Sequence, residues 1–144
     1  MADSKLWRVV GLVLTLLTID RATKLFSLQL AQRGEEIFLA PSINAGWLFG
    51  FINQSSITIV VIIFLLLLAT AALALAIKKN QPILILGWGL TVVGGASNFW
   101  DRWWYGGVID FINFANLTQF NLADLYLIAG LVTLVLKFKS AYVR

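Results

Sequence analysis

The sequence predicts an all-α integral membrane protein with four transmembrane helices. Of its 144 residues, 60% are hydrophobic and only 12% are charged, which is far more apolar than an average soluble domain. Four apolar runs approach the roughly 20 residues that a spanning helix needs. We place the helices at about residues 7–26, 56–77, 83–103 and 122–138, in one membrane-embedded domain that covers residues 1–144.

Composition also limits the chemistry that the chain can carry. It has no Cys and no His, which excludes thiol nucleophiles, disulfides and zinc sites built on those residues. The formal net charge is +4, but the basic residues are scattered among apolar runs and form no patch. We therefore expect no nucleic-acid partner, and any reaction must use carboxylates, hydroxyls, amides, Lys or Arg.

The first two helices differ in charge. The first apolar run, Val9–Phe26, contains Asp20, Arg21 and Lys24. Asp20 and Lys24 are spaced i, i+4, so their simplest interpretation is an ion pair at the end of this helix. The run meets Asp20 rather than a small-residue cleavage site, which favours a retained helix over a cleaved signal peptide. The second run, Ile57–Ile77, contains no charge.

The third helix has one face of small and polar residues. Steps of four, three, four and three residues separate its members, which are Gly87, Thr91, Gly94, Asn98 and Asp101. Small residues let another helix approach closely, and polar residues hydrogen-bond across such a contact. The face is therefore either a packing seam that ends in a solvated Asp101–Arg102 pair or one wall of a functional site.

Residues near the fourth helix and the turns have ordinary structural interpretations when taken singly. Asn121 can cap the fourth helix, with Asp124 at position N3, where the helix dipole stabilises a negative charge. Asp110 is a loop acid with apolar neighbours. Asn44 can be a turn residue before Gly46. Each of these interpretations stays open beside a functional one.

Two longer segments, residues 27–56 and 103–121, connect the helices on one side. The first contains the strand-like run Ile37–Leu39 and the turn-rich sequence Asn44–Gly46, which together predict a small sheet lying on the membrane. An aromatic belt typical of a membrane interface is predicted nearby, formed by Trp47, Phe49, Phe51, Trp100, Trp103, Trp104 and Tyr105.

Lys and Arg residues mark the opposite side. With four spans, seven of the eleven basic residues fall in the two termini and in the loop at Lys78 and Lys79, beside one acid, Asp3. The positive-inside rule then places both termini in the cytoplasm. The other six acids lie at or beyond the outer ends of the helices, namely Asp20, Glu35, Glu36, Asp101, Asp110 and Asp124.

Acids that gather at the edge of a membrane mark a functional site, because they are costly unless they are paired or face a wet cavity. Two carboxylates in contact do not both ionise readily, which leaves one protonated acid beside one base. Such a pair can activate water and protonate a leaving amine, as in aspartic proteases. This chemistry needs no metal and no cofactor.

Five short motifs, in order along the chain, resemble those of the lipoprotein signal peptidase family, also called signal peptidase II. They are Asp20–Lys24 (D-x-x-x-K), Asn44–Gly50 (N-x-G-x-x-F-G), Gly94–Arg102 (G-G-x-x-N-x-x-D-R), Gly107–Phe111 (G-V-x-D-F) and Phe120–Asp124 (F-N-x-A-D). Each motif is weak alone, but five in the right order are specific. Arg21 stands where the family often has Gln.

The resemblance implies a membrane aspartic endopeptidase that removes the signal peptide from diacylglyceryl-modified prolipoproteins, just before the lipidated cysteine. It implies Asp110 and Asp124 as the catalytic pair. It gives pocket or supporting roles to Asn44, Gly46, Asn98, Asp101, Arg102, Asn121, Asp20 and Lys24.

The resemblance also implies a bacterial inner-membrane enzyme whose site faces the extracytoplasmic side, beneath a small β-cradle within residues 27–56. We expect a monomer whose partners are prolipoprotein substrates and membrane lipids.

Two other classes of function compete with this one. Intramembrane Asp and Lys residues also mark the ion pathway of a small proton-coupled carrier, but a carrier predicts acids spread through the depth of the membrane. An assembly subunit would explain the small residues Gly94 and Gly95 but not the asparagines and aspartates. The one-sided acids and the ordered motifs favour the peptidase.

Overall fold

The computed structural model describes residues 2–34, 41–47, 52–53, 56–114 and 117–142. These residues form four helices: α1 Ala2–Gln32, α2 Ser56–Lys78, α3 Pro82–Tyr105 and α4 Leu122–Tyr142. They also form six short strands: β1 Ser42–Asn44, β2 Gly46–Trp47, β3 Ile52–Asn53, β4 Val108–Asp110, β5 Ile112–Phe114 and β6 Thr118–Phe120. The fold is mostly helical, with the strands in the segments that connect α1 to α2 and α3 to α4.

Helices α2, α3 and α4 begin within one residue of the positions expected from the sequence. The residues at the ends of α3 illustrate the reason. Pro82 occupies the first turn of α3, where a missing N–H costs nothing and the fixed φ suits a helix. The helix ends at Gly106, which adopts a left-handed φ of 71°. Proline and glycine therefore define both ends of α3.

The expected end of the first helix near residue 26 is wrong, because α1 continues to Gln32. Residues 28–32 are Leu, Gln, Leu, Ala and Gln, all good helix formers, although Gln29 and Gln32 interrupt the apolar run. The first residue that breaks the helix is Gly34, with φ +70°. Asp20 and Lys24 consequently lie inside α1 rather than at its end.

Two helices in the described part of the chain are long and apolar enough to cross a membrane, over residues Ile59–Lys78 and Pro82–Tyr105. Many apolar side chains of α2 face outward, such as the exposed Phe64, Leu67 and Leu68, while Ile62 is buried. An exposed apolar surface of this kind suits a hydrocarbon environment.

The strands form three separate two-stranded antiparallel sheets: β1 with β4, β2 with β3, and β5 with β6. The first connecting segment does contain a small sheet, β2 with β3, as the sequence predicts, whereas β1 of the same segment pairs with β4 from the second segment. In that register Ser42 lies opposite Asp110, and Asn44 lies opposite Val108. The predicted strand Ile37–Leu39 lies outside the described residues.

Glycine residues allow α3 and α4 to pack in close contact, as the small-residue face of the third helix predicts. A Cβ atom added at Gly94 would lie 2.3 Å from the carbonyl oxygen of Ala123. One added at Gly130 would lie 2.7 Å from the carbonyl oxygen of Gly87. Only a residue without a side chain fits such backbone contacts. This close approach brings the polar end of the α3 face next to the first turn of α4.

Candidate active site

A cavity of about 470 Å³ lies where α3, α4 and β4 meet. Its polar wall includes Asn44, Gly46, Asn98, Arg102, Asp110 and Asp124. Its apolar wall includes Ile62, Gly95, Leu125, Leu127 and Ile128. The structure thus gathers most of the candidate residues around one space, with Asn121 directly behind them.

Asp110 is the last residue of β4 and is almost fully buried. Its Oδ1 atom accepts a hydrogen bond from Asn121 Nδ2 at 2.7 Å, and its Oδ2 atom accepts one from Asn44 Nδ2 at 3.0 Å. The β1–β4 pairing places Asn44 there, and the N-terminus of α4 places Asn121. Two side-chain amides from distant segments therefore hold one carboxylate.

Burial raises the pKa of Asp110 above its usual range, because the charged form loses its hydration. The hydrogen bonds from Asn44 and Asn121 act in the opposite direction and lower the pKa. The charge of Asp124 raises it again, and that of Lys24 lowers it. The net upward shift of the pKa favours a protonated Asp110.

Asp124 lies in the first turn of α4 and faces the cavity. Its Oδ1 atom accepts a hydrogen bond from Asn98 Nδ2 at 2.7 Å. Its Oδ2 atom accepts the Asn121 backbone N–H at 3.3 Å, while Asn121 Oδ1 accepts the Asp124 backbone N–H at 3.1 Å. This reciprocal pair is a capping box, so the predicted cap is confirmed. The same carboxylate also lines the cavity.

All three asparagines that contact the aspartates have a fixed amide orientation. In each of them the Oδ1 atom accepts an N–H donor, so the Nδ2 atom must face the carboxylate. The fixing bonds are Gly46 N to Asn44 at 3.0 Å, Lys24 Nζ to Asn98 at 3.2 Å and Asp124 N to Asn121 at 3.1 Å. Each amide therefore acts as a donor to an aspartate.

A cluster of four charges lies behind this pair, three of them fully buried and the fourth, Arg21, partly exposed. Lys24 Nζ is 3.1 Å from Asp20 Oδ2 and 2.7 Å from Asp101 Oδ2. Arg21 also bridges the two acids, at 3.2 Å from Asp20 Oδ2 and 2.6 Å from Asp101 Oδ1. The predicted Asp20–Lys24 ion pair is confirmed, and it belongs to a larger cluster. Two cations balance two anions, which offsets the cost of burying them.

The charged cluster also ties together the elements that carry Asp110 and Asp124. Asp20 Oδ1 accepts the backbone N–H of Ala123, in the first turn of α4, at 2.9 Å. Asp101 Oδ2 accepts the backbone N–H of Ile109, in β4, at 3.3 Å. Asp20 and Asp101 therefore support the positions of α4 and β4.

Arg21 and Ser97 belong to the cluster, although neither was among the predicted site residues. Ser97 Oγ donates to Asp20 Oδ2 and accepts a hydrogen bond from Arg21 Nη2 at 2.8 Å. Signals for both residues exist in the sequence. Ser97 lies three residues after Gly94 and four before Asp101, on the same helical face. Arg21 is a charge within an apolar run, which requires a partner.

Arg102 lines the cavity one turn after Asn98. Its Nη1 atom donates to the Asn98 backbone oxygen at 3.2 Å. Its guanidinium group thus brings a positive charge to the wall that carries both aspartates.

The fold resembles those of two solved bacterial membrane enzymes. One solved bacterial membrane enzyme matches with a TM-score of 0.71 and 18% identity, over 92% of this chain and 88% of the other. A second matches with a TM-score of 0.68 and 18% identity, over 91% and 92% of the two chains. At this identity the likeness concerns the fold alone.

The family model described as signal peptidase (SPase) II matches residues 12–139. The chain therefore belongs to the signal peptidase II family. It is 29% identical to the lipoprotein signal peptidase of Pelotomaculum thermopropionicum, over 83% of both chains. It is 28% identical to that of Shigella boydii, over 90% of this chain and 88% of the relative. The value for Streptococcus pneumoniae is 27%, over 89% and 90%.

Proposed function

We propose that this chain removes the signal peptide from diacylglyceryl-modified prolipoproteins by aspartic hydrolysis, cutting just before the lipidated cysteine. Membership of the signal peptidase II family supports the substrate class. One observation carries the mechanism: Asp110 and Asp124, from different elements, line one cavity, and each receives hydrogen bonds from fixed amide groups.

In the proposed reaction Asp110 is the acid and Asp124 is the base. Burial raises the pKa of Asp110, which suits it to hold a proton. Asp124 accepts a backbone N–H and a side-chain N–H at the positive end of α4, which suits an ionised carboxylate.

Asp124 takes a proton from water, and the resulting oxygen attacks the scissile carbonyl carbon while Asp110 protonates the carbonyl oxygen. Collapse of the tetrahedral intermediate breaks the C–N bond, and one hydroxyl group of the intermediate returns a proton to Asp110. The amine of the lipidated cysteine leaves with the proton that Asp124 received. The products are the signal-peptide carboxylic acid and a free amino terminus, so one water is consumed for each bond cut.

Other residues of the cavity have supporting or binding roles in this proposal. Asn44, Asn98 and Asn121 hold the two carboxylates, and Arg102 and the Gly46 backbone face the substrate peptide. The apolar wall, with Leu125 and Ile128, accommodates the acyl chains or the apolar signal peptide. A peptide and its lipid both reach such a site from within the bilayer.

We further propose that all four helices span the membrane as a monomeric single domain, with both termini in the cytoplasm. The strands form the extracytoplasmic cradle, and the site faces that side. Trp100, Trp103 and Trp104 are exposed on the last two turns of α3, near β4, which suits a membrane interface. Four of the five acids in the described residues gather near this end, namely Asp20, Asp101, Asp110 and Asp124, whereas a carrier would have acids dispersed through the membrane.

The proposal is tested with purified protein in detergent and two forms of one prolipoprotein, one diacylglyceryl-modified and one with the lipobox cysteine replaced by serine. We expect release of the signal peptide from the lipidated form alone, and mass spectrometry should find the lipidated cysteine at the new amino terminus. Failure to cleave the lipidated form, or equal cleavage of both forms, would overturn the proposal.

A further inference from the structure

We infer that Lys24 is a positioning residue for the aspartate pair and acts through Asn98. The inference rests on the proposed function, because it concerns the same site. Lys24 itself does not line the cavity, and its side chain is 1% exposed. Its influence on the reaction must therefore pass through the groups that it contacts.

The ammonium group of Lys24 has three protons and four oxygen partners, the most distant of which is Ser97 Oγ at 3.4 Å. Its Nζ atom lies 2.7 Å from Asp101 Oδ2, 3.1 Å from Asp20 Oδ2 and 3.2 Å from Asn98 Oδ1. A lysine ammonium donates and never accepts hydrogen bonds, so the group that faces it must be an acceptor. The Asn98 oxygen is therefore held toward Lys24.

The contact between Lys24 and Asn98 affects Asp124 through the Asn98 side chain. With its Oδ1 atom facing Lys24, Asn98 presents Nδ2 to Asp124 Oδ1 at 2.7 Å. A half-turn of the amide would place an oxygen against the carboxylate and remove this donor. Lys24 thus keeps Asn98 in the orientation that stabilises an ionised carboxylate at position 124.

Two other charged groups interact with Asp124 electrostatically, Asp110 on β4 and Arg102 on α3. The remaining charges of the cluster, Asp20 and Arg21 on α1 and Asp101 on α3, contact Lys24 or each other. Arg21 carries the same charge as Lys24 in the same cluster, but its hydrogen bonds run to Asp20, Asp101 and Ser97 rather than to Asn98. Arg21 therefore provides a matched control.

The test compares Lys24→Met with Arg21→Gln in detergent, on the lipidated precursor. Each change removes one positive charge from the cluster, but only the first removes the bond to Asn98. For Lys24→Met we expect kcat to fall about tenfold to a hundredfold, the range for one lost hydrogen bond to a charged group, with KM little changed. The acid limb of its pH profile should move to higher pH. Arg21→Gln, which keeps the bond between Lys24 and Asn98, should lose less kcat than Lys24→Met, and the acid limb of its pH profile should move less.

A double-mutant cycle separates positioning from a general structural role. If Lys24 acts through Asn98, adding Lys24→Met to Asn98→Ala should cause no further loss of kcat. An equal loss in both backgrounds, or an equal loss in Arg21→Gln and Lys24→Met, would overturn the inference.

A second variant applies if Lys24→Met does not fold. Asn98→Asp keeps an oxygen toward Lys24 but replaces the donor to Asp124 with an oxygen, so kcat should fall at least as far. Wild-type kcat in Asn98→Asp would overturn the inference. A different result would overturn the proposed function: wild-type protein that does not cleave the lipidated precursor.

Discussion

The two aspartates of the cavity are chemically the same residue in different surroundings. Asp110 is held on a buried strand by two side-chain amides. Asp124 is held by a side-chain amide and a backbone N–H in the first turn of a helix. Different surroundings can give two carboxyl groups different affinities for a proton. A pair that contains one general acid and one general base requires such a difference.

The raised pKa of Asp110 predicts how stability depends on pH. A carboxyl group whose pKa is higher in the folded state contributes stability below its unfolded pKa, near 3.8, and loses that contribution as pH rises through the folded pKa. Wild type should therefore lose thermal stability over this window, while Asp110→Asn should lose less. Unfolding temperatures in detergent at several pH values provide the measurement. Parallel curves for the two proteins would contradict the prediction.

Asn121 combines two roles that substitution can separate. Asn121→Ser keeps an acceptor for the cap of α4 but loses the donor to Asp110, whereas Asn121→Ala loses both. We expect the alanine variant to be about 1 kcal/mol less stable than the serine variant, because only it lacks the cap. Chemical or thermal unfolding of the two proteins side by side measures this difference.

The activity of the same two variants tests the hydrogen bond that Asn121 Nδ2 donates to Asp110. Removing Asn121 Nδ2 should raise the pKa of Asp110 further, since that hydrogen bond lowers it. The basic limb of the pH profile should therefore move to higher pH in both variants. A profile that stays at the wild-type position would show that this hydrogen bond does not affect the pair.

Local spacing made some contacts of the site predictable and left others out of reach. The Asp20–Lys24 pair and the Asn121 cap are separated by four and three residues, so helix geometry alone predicts them. Arg21 meets Asp101 across 80 positions of sequence, and spacing carries no information at that distance. The sequence showed that a buried charge needed a partner, but the fold was needed to identify it.

At the scale of elements, the contact between α3 and α4 determines the geometry of the site. Gly94 lies one helical turn before Asn98, and its α4 neighbours are Ala123 and Leu127. Asp124 follows Ala123 directly. Any change that separates the two helices here must also lengthen the hydrogen bond between Asn98 and Asp124.

Gly94→Ala tests this contact. Its new Cβ atom would lie 2.3 Å from a backbone oxygen, so α4 must shift, at a cost of about 1–3 kcal/mol. We expect lower stability and a larger loss of kcat than of substrate binding. Gly89→Ala on the same helix is the control, because nothing lies within 4 Å of its Cβ position. Equal behaviour of the two variants would refute a special role for the contact at Gly94.

Strand pairing was harder to predict than helices. The strands have only two or three residues each, so their hydrophobic pattern does not specify partners. The β1–β4 pairing depends on a close backbone approach at Gly107, where an added Cβ atom would lie 2.9 Å from the Asn44 carbonyl oxygen. The sequence identified Gly107 as part of a motif, but it did not show that Asn44 would be its neighbour.

At the scale of the whole molecule, hydropathy predicted four helices because apolar runs of spanning length are rare outside membranes. Hydropathy did not predict how far α1 extends, since residues 28–32 continue the helix although Gln29 and Gln32 interrupt the apolar run. The sequence predicted that most of the acids would lie on one side of the membrane. Their arrangement in two layers, a cavity wall and a charged cluster behind it, required the structure.

The proposed topology is testable because the chain has no Cys of its own. Leu117→Cys and Lys79→Cys each place a single thiol at an exposed position on opposite sides of the proposed arrangement. A membrane-impermeant thiol reagent should label Leu117→Cys in cells whose inner membrane is intact. It should label Lys79→Cys only after permeabilisation, and the reverse pattern would invert the proposed orientation.

The most direct test of the aspartic mechanism is cleavage of a lipidated prolipoprotein by wild type, Asp110→Asn, Asp124→Asn and the control Asp3→Asn. The account predicts normal release of the signal peptide by wild type and Asp3→Asn. It predicts rates reduced roughly 10²-fold or more in the two cavity variants, with folding intact. Normal cleavage by folded Asp110→Asn or Asp124→Asn would contradict it.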